Sequence, residues 1–150
     1  MPDAQAILQA QIAKIPVTVE NGTAFYKFLF TAAPDLRKFF KGAEQMSPND
    51  VPASERFQKQ GRRLLTSVHI SIELMHDDQT LRAYVHDMVD KHRQFKIPFQ
   101  TVKAFFPAFV AYAEQMTGEM TAEQKAAWKE LDDRWMAHYK NVSDELGLKF

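Results

Sequence analysis

The chain of 150 residues contains no cysteine and only five glycines. The absence of cysteine excludes disulfides, thiolate nucleophiles and metal sites built on thiolates. Any metal must therefore be bound by histidine or carboxylate side chains. The length fits one compact domain over residues 1–150, which is long enough to bury a sizeable core.

The chain also lacks an excess of charge of either sign, because 19 lysines and arginines balance 19 aspartates and glutamates. Without a net field, neither nucleic acid nor a membrane surface is an expected partner. No segment approaches about 18 uncharged apolar residues, and the acidic start does not resemble a secretory leader. These absences predict a cytoplasmic protein.

Alternating apolar and polar runs are missing, whereas helical periodicity occurs almost everywhere. The spacing predicts an all-α fold of six to eight helices, with no repeat period that would suit a solenoid or a symmetric bundle. The predicted helices are Asp3 to Pro16, Val19 to Ala33, one from Ser54, one ending at His92, one from Pro98 with Met116 on its apolar face, and one from Thr121.

A stripe of apolar side chains, Val85, Met88 and Val89, continues to His92 at helical spacing. A neutral imidazole on an apolar face needs a partner for a ring nitrogen, and a buried metal is one such partner. A hydrogen-bonded core histidine is the alternative. Of the other histidines, His86 and His69 are predicted to be peripheral. The remaining two, His76 and His138, are predicted to lie on the surface.

Gly22 and Gly61 each lie inside a helical pattern, where glycine costs about 1 kcal/mol relative to alanine. Such a cost predicts two helix backbones that cross in close contact. Tyr26 follows Gly22 by one helical turn and Gln60 directly precedes Gly61. The crossing would therefore bring a phenol and an amide towards one pocket.

Three segments, FYKFLFTAAPDLRKFFKGAE, ERFQKQGRRLL and MVDKHRQFKIP, occur in this order. Together they resemble the globins, and most closely the intracellular globins of nematodes, over nearly the whole chain. The resemblance implies a globin fold packed around haem b. It also implies reversible binding of dioxygen, and of other diatomic gases, for storage or transport.

The resemblance implies a role for each of four residues in these segments. His92 matches the proximal histidine that binds haem iron, with its second nitrogen bonded to the preceding turn near Met88. Phe40 matches the phenylalanine that wedges the haem, and Gln60 matches the distal residue. Tyr26 matches the tyrosine that donates a hydrogen bond to dioxygen in nematode globins.

Further haem contacts implied by the same match are Leu64, Met88, Ile97 and Phe105. Arg63 could pair with a haem propionate, and a solvated arginine is the alternative reading. A turn between His92 and Ile97 that is one residue shorter than in vertebrate myoglobin departs from the family pattern.

Two other functions compete with gas binding. The first is an enzyme on the same scaffold, such as a peroxidase or a nitric oxide dioxygenase, but Gln60 cannot titrate and a tyrosine is a poor base near neutrality. We therefore expect a protein without enzymatic activity. The second is a haem-free helical interaction module. A homodimer could form on the charged helix faces, and the sequence leaves the oligomeric state open.

Overall fold

The computed structural model describes residues 2–150, and within that range the secondary structure is entirely helical. The predicted all-α class is confirmed. No helix in this range is long and apolar enough to cross a membrane. The α-helices are α1 (Ala4–Ile12), α2 (Val19–Ala32), α3 (Glu55–Leu74), α4 (Asp78–His92), α5 (Phe99–Lys103), α6 (Phe105–Thr117) and α7 (Ala122–Glu145). Short 3₁₀ helices cover Pro34–Phe39, Pro48–Ala53 and Arg93–Phe95.

Side-chain caps fix where several helices begin. The Asp3 carboxylate accepts a hydrogen bond from the backbone N–H of Ala6 at 2.9 Å, at the start of α1. Thr121 and Gln124 form a complete capping box at the start of α7. These caps satisfy backbone donors that have no partner inside the helix, so they define the helix start locally.

The chain divides into two compact units, of which one is Ile12–His69 and the other is Met1–Gln11 with Ile70–Phe150. In the first unit, α2 packs against the 3₁₀ helices Pro34–Phe39 and Pro48–Ala53. Its core is aromatic and aliphatic, and its most deeply buried side chains include Phe25, Phe30, Val51, Phe57 and Leu65.

The second unit is built around α4, α6 and α7. α7 has an apolar stripe at helical spacing that is buried in full: Trp128, Leu131, Trp135, Tyr139 and Val142. The two indole N–H groups in this stripe are satisfied inside the unit, by the Gln11 side chain at 2.7 Å and by the Ser71 hydroxyl at 3.2 Å. Large aromatic side chains are therefore buried here without loss of their hydrogen bonds.

The expectation that His138 lies on the surface is wrong. Its side chain is buried, with 9% exposure, and its Nε2 lies 2.8 Å from the Asp78 carboxylate at the start of α4. The carboxylate partner is what lets a titratable ring occupy the α4–α7 contact. His76 is exposed as predicted, beside the Glu130 carboxylate at 2.9 Å.

The single helix expected after Pro98 is instead two helices, α5 and α6. Pro107 has no N–H to donate to the carbonyl of Lys103, so the regular hydrogen-bond pattern is interrupted there. The backbone N–H of Ala104 donates to the carbonyl of Thr101, only three residues earlier, at 3.1 Å, which is the spacing of a 3₁₀ turn. Met116, expected on the apolar face, is 48% exposed in the last turn of α6.

The predicted crossing of helix backbones at Gly22 and Gly61 is confirmed. A Cβ atom added to Gly22 would lie 2.7 Å from the Cα of Gly61, and one added to Gly61 would meet the backbone of Gly22 equally closely. Since real Cβ atoms do not approach backbone so closely, α2 and α3 depend on both glycines to pack at this distance.

We expect Gly22→Ala to destabilise the protein by about 1–3 kcal/mol, since the clash of the added Cβ with the backbone of Gly61 outweighs the roughly 1 kcal/mol gain in helix propensity. The free energy of unfolding in urea measures the effect. Lys27→Ala, at an exposed position of the same helix, is the control and should change stability by less than about 0.5 kcal/mol. A Gly22→Ala variant as stable as the parent would contradict this interpretation.

Candidate functional site

Tyr26 lies on α2 inside a cage of aromatic rings. Its ring centroid is 5.2–5.9 Å from those of four phenylalanines, at positions 25, 30, 40 and 57. The contacts are edge-on or tilted, which is the arrangement that aromatic quadrupoles favour. The phenol is 5% exposed and is therefore held at one place by apolar neighbours.

The glycine crossing brings the Tyr26 phenol to Gln60 on α3. The Gln60 amide Nε2 donates to the Tyr26 hydroxyl oxygen at 3.3 Å, as the spacing of the glycines predicts. Because the phenol oxygen accepts this bond, its own hydrogen is left to donate elsewhere. Burial raises the pKa of Tyr26 to about 12, despite the Gln60 bond and the nearby Arg56 charge, which both lower it.

Phe40 follows the 3₁₀ helix Pro34–Phe39 and is half-buried. Its ring completes the cage, 5.6 Å from Tyr26 and 5.5 Å from Phe30. Two arginines tie down the loop around it: Arg37 donates to the Met46 carbonyl at 2.8 Å and Arg56 donates to the Lys41 carbonyl. The loop that follows Phe40 is therefore held by one arginine before it and one arginine after it.

Leu64 and Arg63 follow Gln60 along α3. Leu64 is buried one turn after Gln60, on the same face of the helix. Arg63 is exposed, and its guanidinium makes no ion pair with any residue in the range 2–150. Its charged head is thus open to an anionic group.

His92 is the last residue of α4 and is half-buried. Its Nδ1 lies 2.8 Å from the Met88 backbone carbonyl, which confirms the predicted bond to the preceding turn. A carbonyl can only accept, so Nδ1 carries the hydrogen and Nε2 carries the free lone pair. Nε2 has no hydrogen-bond partner in the part of the chain that the structure describes.

The other predicted contact residues of this unit lie on α4, in the loop that follows it and at the start of α6. Met88 and Ile97 are half-buried, one turn before and five residues after His92. Phe105, also half-buried, begins α6 and packs its ring against Phe106 at 5.2 Å. These side chains provide apolar surface that is only partly covered within their unit.

Comparison with known proteins identifies the family of the chain. A model of the family Globin matches residues 23–139, a span that covers residues of both units. The chain belongs to the globin family. The predicted globin fold and the predicted similarity to nematode globins are both confirmed.

Several nematode proteins are similar to this globin. A globin-like protein of Caenorhabditis briggsae is 40% identical over 127 residues, 82% of this chain and 79% of the relative. A myoglobin of Nippostrongylus brasiliensis is 38% identical over 135 residues, 87% of each chain. A solved structure of a globin-like protein of Caenorhabditis elegans superposes with a TM-score of 0.88 at 32% identity, over 99% of both chains.

Sequence reasoning missed several residues that shape the site. Phe30 and Phe57 are not among the predicted contact residues, yet they form half of the cage around Tyr26. Helix spacing contains the signal, because Phe30 follows Tyr26 by one turn and Phe57 precedes Gln60 by three residues. The Arg56 bond to a carbonyl 15 residues earlier leaves no such signal.

Because the pKa of Tyr26 is about 12 and that of an unfolded tyrosine is about 10, the unfolded chain loses this proton first as pH rises. Tyr26 should therefore stabilise the fold fully below pH 10, and about 2–3 kcal/mol of that stability should disappear between pH 10 and 12. Urea unfolding across this range, with Tyr26→Phe alongside, measures the difference. Equal pH dependence in both proteins would disprove the burial effect.

Proposed function

We propose that this globin binds haem b through His92 and reversibly binds dioxygen, with Tyr26 and Gln60 as hydrogen-bond donors to the gas. The observation that carries the proposal is the state of His92. Its Nδ1 donates a hydrogen bond to the Met88 carbonyl at 2.8 Å, so the free lone pair is on Nε2. An imidazole with its second nitrogen bonded in this way is a well-oriented iron ligand.

The donor set of the chain suits haem better than a bare metal ion. Within residues 2–150 there is no group of three or more histidine or carboxylate side chains that could hold a metal. A single imidazole is sufficient when the porphyrin supplies the other ligands of the iron. Haem b supplies an iron at which a diatomic gas binds reversibly.

We assign the haem contacts as follows. Four half-buried side chains would offer apolar surface to the macrocycle: Phe40, Met88, Ile97 and Phe105. The buried side chain of Leu64 would be a fifth contact. Gln60 would contact both the macrocycle and the gas. The unpaired guanidinium of Arg63 would pair with a propionate, since arginine binds carboxylates through two parallel hydrogen bonds.

The phenol and the amide would strengthen gas binding. A diatomic ligand that has gained partial negative charge accepts hydrogen bonds, and the Tyr26 hydroxyl retains its hydrogen for donation. Hydrogen bonds to charged groups are worth about 1.5–3 kcal/mol, and about 1.4 kcal/mol is a tenfold change in affinity. Tyr26 should therefore make this globin slow to release dioxygen.

The same residues favour a binding protein over an enzyme. Peroxide cleavage needs a group that accepts and returns a proton near neutral pH. Gln60 has no titratable proton, and burial raises the pKa of Tyr26 to about 12. Neither side chain can perform that step at neutral pH.

An intracellular role is part of the proposal. Relatives named myoglobin occur in Nippostrongylus brasiliensis and Ascaris suum, at 38% and 35% identity. A cuticular globin at 36% identity and an extracellular globin at 27% identity are also similar to this chain. The Nippostrongylus brasiliensis myoglobin has the highest identity of these four relatives, and it supports storage or transport of dioxygen inside cells.

The visible spectrum of the reduced protein, before and after addition of carbon monoxide, tests haem ligation directly. We expect a five-coordinate reduced form that shifts to a carbonyl complex. His92→Gly should lose this behaviour and regain it when free imidazole is added, because imidazole then replaces the missing ligand. His86→Gly, at an exposed position of the same helix, should behave like the parent protein.

A colourless protein that does not take up added haemin would disprove the proposal. So would a His92→Gly variant whose reduced spectrum matches that of the parent without added imidazole, because another residue would then be the iron ligand.

Tyr26→Phe should raise the oxygen dissociation rate by about tenfold to a hundredfold, since one hydrogen bond to a charged acceptor is lost. Stopped-flow replacement of oxygen by carbon monoxide measures this rate. Tyr112→Phe is the matched control, because Tyr112 is also buried and burial also raises its pKa to about 12. Equal rates in Tyr26→Phe and the parent would exclude Tyr26 as a donor.

A further inference from the structure

The imidazole of His92 is held by a single hydrogen bond, from Nδ1 to the Met88 carbonyl. The torsion that turns a histidine ring about its Cβ–Cγ bond has broad energy minima, so one hydrogen bond leaves the ring plane free to rock. A second contact on the ring is needed to fix its orientation.

Phe95 supplies such a contact. Its ring lies edge-on to the His92 imidazole, with centroids 5.8 Å apart and planes at 70°. The side chain is 48% exposed, so its burial in the core cannot account for its position. Aromatic pairs favour this perpendicular geometry, which resists rotation of either ring.

The backbone after α4 is shaped to make this contact. The 3₁₀ turn Arg93–Phe95 closes with a bond from the Lys96 N–H to the Arg93 carbonyl at 3.2 Å. Lys96 has φ 51°, a left-handed conformation that no other non-glycine residue adopts within residues 2–150. Such a conformation is unfavourable for a residue with a Cβ, and it ends the 3₁₀ turn directly after Phe95. Residues three apart in a 3₁₀ turn lie on the same side, so the turn after α4 places Phe95 beside His92.

We infer that Phe95 is a positioning residue that fixes the plane of the His92 imidazole, and through it the bond between His92 and haem iron. The inference rests on the proposed function, because it concerns the ligand that the proposal assigns to iron. Met88 sets the direction of the ring nitrogen and Phe95 sets the rotation of the ring.

Resonance Raman spectra of the reduced, haem-loaded protein test the inference, because the iron–histidine stretching band reports the orientation of the imidazole. Phe95→Leu should shift and broaden this band, since the ring then samples more orientations. Phe95→Tyr keeps an aromatic ring and should restore the parent band. Phe150→Leu is the matched control: Phe150 is similarly exposed, at 41%, and should leave the band unchanged.

The outcomes separate the two proposals. If the parent protein binds haem but has no iron–histidine band, or if His92→Gly keeps it, the assignment of the iron ligand fails. If the parent has the band and Phe95→Leu has the same position and width, the assignment stands and the positioning role of Phe95 is wrong. A Phe95→Tyr spectrum like that of Phe95→Leu would also overturn it, because the aromatic ring would then not matter.

Discussion

The direct contact of two helix backbones at Gly22 and Gly61 is the constraint on which the pairing of Tyr26 with Gln60 depends. A Cβ atom at Gly22 would lie 2.5 Å from a backbone atom of Gly61, so any side chain there would force α2 and α3 to move apart. The Tyr26 phenol lies one turn from one glycine, and Gln60 adjoins the other. Their 3.3 Å hydrogen bond therefore exists only at the short distance that the glycines permit. The loss of helix propensity at each glycine is offset by this packing.

The aromatic cage determines what the phenol can do chemically. Phenylalanine rings surround Tyr26 without offering any group that could stabilise a phenolate, so desolvation is the largest influence on its pKa. A phenol that stays neutral across the physiological range keeps its hydrogen. The same burial that makes Tyr26 a poor base thus makes it a dependable donor, and the Gln60 amide fixes which way the oxygen faces.

The sequence predicts whatever depends on neighbours a few residues away. Helix caps, the apolar stripe of α7 and the bond from His92 to Met88 depend on such neighbours, and all are present. The glycine crossing joins two distant residues, but each glycine is recognisable on its own because it lies inside a helical pattern. The failures involve distant partners or interrupted periodicity. His138 is buried because Asp78, 60 residues earlier, meets it across α4 and α7. The break before α6 follows from Pro107, whose effect on the preceding turn outweighs the apolar pattern.

The two parts of the proposed site have different structural origins, and this bears on how the function could be tuned. The orientation of His92 depends on a carbonyl in its own helix and on a ring three residues later, so a single segment of sequence defines it. The pairing of Tyr26 with Gln60 depends instead on two helices. They meet at Gly22 and Gly61, which are 39 positions apart in the sequence. Replacing Tyr26 alters a hydrogen bond without touching the α4 turn, whereas replacing Phe95 leaves the cage intact. In the proposed site, release of the gas and the strength of the iron–histidine bond would therefore change separately.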